Sequence, residues 1–282
     1  MAEATGAERA APTPPSFARV AGAFLRRDFR AARSYRLSFV VRVGSVLVAI
    51  ASFGAMARFL GGSAGAARVP GGYLGFWVTG LALAEVFHVM VSAWSTRVRQ
   101  AQLEGTLEAV LSTAAPAGHV VLAAGLYDAL AGLGRLAIYL GAGAWVFGVD
   151  FGHADLPGVA LTAVLALAAF LGLGVLGGAL TMVLRRTDPI SALAWLGAAT
   201  LGGVFYPVSV LPGWVRPFAD LLPIGPALTA LRAALFEGAP AALLTRPLFT
   251  LGIFVTFVWP LAALAFAYAL RRAREDGSLA QY

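Results

Sequence analysis

The sequence predicts an all-α polytopic membrane protein with about six transmembrane helices. Three observations point to this fold class: 59% of the 282 residues are hydrophobic, only 12% are charged, and the mean hydropathy is +0.79. A soluble domain carries about 25% charged residues, so this composition indicates a chain embedded in lipid. The length suits roughly six spans joined by short connections.

The charged residues and the cysteine content narrow the function classes. The formal net charge is +7, and all 21 basic residues are arginine. Because these arginines flank apolar runs, the positive-inside rule explains them better than nucleic-acid binding does, and no nucleic-acid partner is expected. The chain has no cysteine, which excludes disulfides, thiolate metal ligands and cysteine nucleophiles.

The region before the first apolar run divides into two parts. Residues 1–15 are rich in Ala and Pro and predict a disordered tail rather than a signal peptide. Residues 16–36 predict an amphipathic helix, with Phe17, Val20 and Phe24 near one face and arginines around the rest. Such a helix suits the headgroup layer of a membrane. The alternative is a solvated basic segment.

Six apolar segments lie between residues 37 and 270 and form the predicted transmembrane domain. Each is long enough to cross a hydrocarbon core of about 30 Å at about 1.5 Å per residue. The predicted spans are residues 37–60, 71–96, 118–148, 157–184, 189–211 and 247–270.

The arginines are distributed unevenly between the two ends of these spans. Fourteen lie in the N-terminal segment, the second and fourth connections and the C-terminus, whereas five lie in the opposite connections. This asymmetry predicts that both termini are cytoplasmic and that residues 271–282 form a cytoplasmic tail. The chain itself is expected in the cytoplasmic (inner) membrane.

Residues 212–246 are apolar but interrupted by proline. Four prolines lie close together in the first half of this segment: Pro212, Pro217, Pro223 and Pro226. Proline removes a backbone donor and clashes with the preceding helical turn, so this segment does not suit a simple span. Two short helices at about 213–221 and 225–236 would suit a re-entrant hairpin before the last span, which requires cover from protein or a wet cavity.

A short amphipathic helix is expected at about 99–115, between the second and third spans. Its apolar stripe consists of Leu103, Leu107, Val110 and Leu111. Glu104 and Glu108 are i, i+4 neighbours on another face, where like charges repel unless something basic lies opposite. Such a helix either rests on the lipid headgroups or docks a cytosolic partner, and periodicity alone does not choose between the two.

Three stretches of the sequence resemble the membrane subunits of type 2 ATP-binding cassette (ABC) exporters. EGTLEAVLSTAAP, from Glu104 to Pro116, resembles the signature E-G-T-L-E-x-L-L-x-T-P; Val110, Ala114 and Ala115 depart from it. LRRDFRAARSYRLSF resembles the basic interfacial helix that enters the first span. The stretch from Gly203 to Leu235 resembles the proline-containing segment before the last span.

The resemblance implies a role and a set of partners. The implied ATPase-coupling residues are Glu104, Gly105, Thr106, Leu107 and Glu108. In such exporters this helix seats in a cleft of the ATP-binding subunit, which carries ATP and Mg²⁺. Two ATP-binding subunits and a second copy of this chain, or a similar permease, are therefore expected as partners in the lipid membrane. The implied cargo is amphipathic: lipid-like, glycan or a hydrophobic drug.

The chain lacks the means to hydrolyse ATP itself. A phosphate-binding P-loop requires G-x-x-x-x-G-K-[ST], and the sequence contains no lysine. We expect no catalytic residue, no metal site and no cofactor in this chain. The glycine-rich run GLGVLGG at 172–178 is better explained by close helix packing.

Four ionisable residues lie within predicted spans: Glu85, His88, Asp128 and Arg135. Such residues are costly at membrane depth and usually face protein or water. If the second and third spans are antiparallel neighbours, the two pairs could meet in a structural polar cluster. Alternatives are a substrate path or gate, or a zinc site.

Two other functions of the whole protein remain open. One is a proton-coupled transporter that uses Glu85, His88 and Asp128, and the other is a membrane scaffold.

Overall fold

The computed structural model describes residues 15–34, 71–103, 117–184 and 189–275, together with most of 41–55, and all regular structure in these ranges is helical. The α-helices are α1 (Phe17–Ser34), α2 (Gly72–Leu103), α3 (Ala117–Trp145), α4 (Leu156–Leu184), α5 (Pro189–Leu201), α6 (Arg216–Asp220), α7 (Ile224–Phe236) and α8 (Thr245–Glu275). A short 3-10 turn lies at Val208–Val210. For the described part of the chain, the predicted all-α class is confirmed.

Four of these helices are long and apolar enough to cross a membrane. The candidate spans are Gly72–Leu103, His119–Trp145, Leu156–Leu184 and Thr245–Ala273, which coincide with the predicted second, third, fourth and sixth spans. The first predicted span, at 37–60, lies largely outside the described residues. Where the structure describes it, this region is helical, and Ile50 is buried in the core. The total of six spans therefore stays a prediction.

The fifth predicted span is shorter than the sequence suggested. The helix expected to continue to residue 211 ends at Leu201, so α5 has 13 residues. At about 1.5 Å per residue it extends about 20 Å, less than the hydrocarbon core. Gly203 has a φ of +74°, in the left-handed region that ends helices, and Pro207 lacks the N–H that a continuing helix needs.

The two short helices expected in the proline-containing segment are present as α6 and α7. α7 begins after Pro223 and ends before Gly238, whose φ is +62°. It packs against α4, α8 and the first turns of α2. Ile224, Leu228 and Leu231 are almost fully buried, so α7 belongs to the core of the described structure.

α4 lies at the centre of the fold, between α2 and α8. Its glycines allow close approach on both sides: a Cβ at Gly174 would collide with the Met90 carbonyl oxygen of α2, and one at Gly172 would collide with Val258 of α8. The Phe87 and Phe170 rings meet edge to face, with centroids 4.8 Å apart. The interpretation of residues 172–178 as a packing element is confirmed by these contacts.

Candidate functional site

α2 leads directly to the segment in which the sequence predicted ATPase coupling. The five coupling residues, Glu104, Gly105, Thr106, Leu107 and Glu108, lie outside the described residues. α2 itself continues past the predicted span end at 96 without interruption to Leu103. Gln102 is buried near this end, whereas Leu103 is exposed. The structure therefore shows which contacts hold the end of α2 that leads to this segment. Arg97 makes the central ones.

Arg97 of α2 forms ion pairs with two other helices. Its Nη1 donates to Asp28 of α1 at 3.0 Å, and its Nη2 lies 2.9 Å from the Asp128 carboxylate of α3. The side chains of Arg97, Asp28 and Asp128 are 26%, 11% and 13% exposed. Hydrogen bonds between ionised groups are stronger than neutral ones, and partial burial reduces their screening by water. Arg97 therefore fastens α1, α2 and α3 together.

The amphipathic helix α1 packs along the beginning of α3. Val20 and Ala21 are buried against Ala123, and Phe17 meets His119 edge to face with ring centroids 5.6 Å apart. Phe24 packs beside the same cluster. The sequence assigned the apolar face of α1 to the lipid headgroup layer. In the structure, much of this face contacts α3 instead.

A second charged group lies further along the α2–α3 contact. The charges of Glu85 and Arg135 both act on the buried Tyr139 side chain, and Arg135 also acts on Asp128. Charges of both signs therefore lie in the contacts between α1, α2 and α3. Opposite charges compensate each other where lipid cannot solvate them. This arrangement supports the structural interpretation of the polar cluster.

His88 is directed away from that cluster, towards α5. Its ring lies 4.9 Å from the Trp195 ring, centroid to centroid, with 58° between the planes. His88 is exposed in the single chain although it lies at the middle of α2. The sequence allowed His88 to contact Asp128 or Arg135. Within the described ranges, His88 instead contacts Trp195 and Asp128 contacts Arg97. Among the described residues, no group of three or more His, Cys, Asp or Glu side chains is placed to hold a metal ion.

At the opposite end of α2, Arg232 joins three segments. Its guanidinium donates to the Phe76 carbonyl at 3.0 Å, to Thr79 Oγ1 at 3.1 Å and to the Gly203 carbonyl at 3.0 Å. It also lies over the Phe76 ring, with Cζ 3.5 Å from the centroid. Arg232 therefore holds α7 and the irregular chain after α5 against the start of α2.

Sequence reasoning missed the partners that organise these contacts. In the sequence, Arg97 and Arg232 were used only as counts that predict the orientation of the chain in the membrane, and Asp28 was given no role. A signal for Asp28 was available, because it is the one acidic residue among the arginines of 16–36. Tyr139 gave no comparable signal, since aromatic residues are common in apolar spans.

The apolar helices and the charges compensated between them define a multi-pass membrane protein. Within that class, residues 20–236 match the family described as ABC-2 type transporter, and the chain belongs to this family. The match runs from α1 to the end of α7. The chain matches none of the curated proteins with which it was compared.

Family membership fixes the coarse role of the chain. It is a transmembrane permease component of an ABC transporter, and ATP hydrolysis takes place in a separate subunit. Such permeases work with ABC ATP-binding subunits, typically as dimers. The family resemblance of the sequence is thereby confirmed.

Proposed function

We propose that this chain is the membrane subunit of an ABC exporter, and that Glu104–Glu108 seats in the ATP-binding subunit. ATP binding and hydrolysis in that subunit move the segment, and the spans open a path to the outside for an amphipathic cargo. Both termini then lie in the cytoplasm, as the arginine distribution predicts.

The observation that carries the proposal is the ion-paired end of α2. α2 is one continuous helix from Gly72 to Leu103, so it can transmit a displacement of the adjoining segment as a rigid lever. Arg97 lies six residues before that end and binds Asp28 and Asp128. A push on Glu104–Glu108 would therefore reach α1, α2 and α3 together rather than being absorbed at a flexible joint.

The cargo path is proposed along the face that α2 and α5 expose at mid-membrane depth. His88 and Trp195 lie there, and an ionisable side chain at such depth needs protein or water as its neighbour. A second copy, with the cargo between the copies, satisfies this requirement.

The coupling residues are tested by reversing their charge. In the double variant Glu104→Arg/Glu108→Arg, we expect copurification of the ATP-binding subunit to fall about tenfold or more, because two anionic contacts become repulsive. Glu237→Arg is the matched control, since Glu237 is an exposed acid after α7 and far along the chain from the segment. Undiminished docking and ATP turnover in the double variant would overturn the assignment of Glu104 and Glu108.

A further inference from the structure

α8 carries an exposed apolar stripe along its whole membrane length. Its members are Phe249, Ile253, Phe257, Leu261, Leu264 and Tyr268. Steps of three or four residues place them on one helix face. From residue 249 to residue 268 the helix rises about 28 Å at about 1.5 Å per residue, which matches a hydrocarbon core of about 30 Å.

The opposite face of α8 is occupied by protein. Leu251 and Ala262 are fully buried, and Trp259 Nε1 donates to the Ala168 carbonyl of α4 at 3.1 Å. α8 therefore has one face fixed to the core and one face that lies outside the described packing.

A basic cavity lies where the stripe ends. Tyr268, Arg271, Arg272 and Glu275 line a surface cavity of about 540 Å³. Arg272 Nη1 donates to the Tyr268 hydroxyl at 3.1 Å, which orients the guanidinium beside the aromatic ring. Arg271 is exposed next to it, and Glu275 lies a turn further from the hydrocarbon.

We propose that Tyr268, Arg271 and Arg272 bind the headgroup phosphate of an anionic phospholipid whose acyl chains lie along the stripe. Residues 271–276 contain three arginines and two acidic residues, which gives a net positive charge at the height of the lipid phosphates, where interfacial tyrosines also concentrate. The arginine distribution assigns this end to the cytoplasmic leaflet. The site depends only on membrane embedding, so it stands or falls independently of cargo and coupling.

A second copy of the chain is a poorer occupant of the stripe. Two copies in one membrane run in the same direction, so a symmetric contact through α8 would bring Arg271 and Arg272 of both copies to the same height. Like charges facing each other across an interface oppose association. A lipid phosphate supplies the complementary charge instead.

The test uses the full-length protein in nanodiscs of phosphatidylcholine and phosphatidylglycerol, followed by native mass spectrometry of retained lipid. We expect preferential retention of phosphatidylglycerol, reduced about fivefold for each arginine removed in Arg271→Gln/Arg272→Gln. Arg246→Gln is the matched control, because Arg246 is exposed at the other end of α8. Arg271→Lys/Arg272→Lys keeps the charge and should keep most of the preference.

Three outcomes would overturn the proposal. The first is equal retention of the two lipids by the unmodified protein, a measurement that needs no variant to fold. The second is an equal loss of phosphatidylglycerol in Arg246→Gln. The third is an efficient disulfide between two copies of Leu264→Cys, which would show that a second copy covers the stripe. The chain has no other cysteine to complicate this readout.

Discussion

Arg97 of α2 lies 2.9 Å from the Asp128 carboxylate of α3, and the same guanidinium binds Asp28 of α1 at 3.0 Å. Asp28 and Asp128 are 69 and 31 residues away from Arg97 in the sequence, so one side chain fixes three distant parts of the chain. The planar guanidinium suits this task because its several N–H donors can serve two carboxylates at once. A lysine would supply a point charge without that geometry.

Removing Arg97 should destabilise the protein by leaving two carboxylates beside each other. For Arg97→Gln we expect a loss of about 1–3 kcal/mol in the free energy of unfolding, below the value for a fully buried pair because Arg97 is partly exposed. Denaturant titration in detergent measures it. Arg19→Gln, on the exposed part of α1, is the control and should change little. An additive double variant Arg97→Gln/Asp128→Asn would contradict a direct pairing.

Gly174 should tolerate no larger side chain, because α2 approaches it too closely. Gly174→Ala places a methyl group on the Met90 carbonyl oxygen, and we expect a cost of about 1–3 kcal/mol from overpacking. Gly141→Ala is the matched control in α3, where no atom of the described residues outside the local helix lies within 4 Å of the added Cβ. There the substitution should be neutral or stabilising by up to about 1 kcal/mol, through helix propensity. Thermal unfolding of both variants in detergent gives the comparison.

The sequence predicted the helices well where composition determines them. α2, α3, α4 and α8 are long apolar runs, and any stable spanning structure of that composition must be helical. α5 was predicted too long because Val204 and Phe205 continue its apolar run, while the left-handed Gly203 ends the helix. Hydropathy contains no information on that backbone conformation.

The candidate site was predictable only in part. Glu85, Asp128 and Arg135 were recognisable as charges in apolar surroundings, and of these three the structure shows Asp128 in an ion pair with Arg97. Which charge pairs with which depends on how α1 packs against α3, and one sequence does not determine helix contacts. For that reason the sequence could only set Asp128 opposite Glu85 and His88, whereas in the structure it binds Arg97, about two and a half turns beyond His88.

Arg232 should prove essential for holding α7 to α2. Arg232→Gln removes the hydrogen bond to the Gly203 carbonyl and leaves this buried acceptor unpaired, at an expected cost of about 1–3 kcal/mol. The irregular chain after Leu201 should then become more sensitive to limited proteolysis. Arg246→Gln, an exposed arginine at the start of α8, provides the control. Identical cleavage rates in the two variants would show that Arg232 does not secure this segment.

The exposed face of α2 and α5 should lie against a second copy, and cysteine cross-linking can show it. Leu196 on α5 is 60% exposed and Phe257 on α8 is 73% exposed, so the two positions are matched in accessibility but lie on different faces. His88 shares the α5 face, and lipid cannot solvate an ionisable group at mid-depth, whereas the α8 face is wholly apolar there. We therefore expect a short thiol cross-linker to join two copies of Leu196→Cys and to leave Phe257→Cys unjoined in membranes. The chain has no native cysteine, so each band reports one position. The reverse pattern would move the contact between copies to α8, and the cargo path proposed beside His88 and Trp195 would then have to be abandoned.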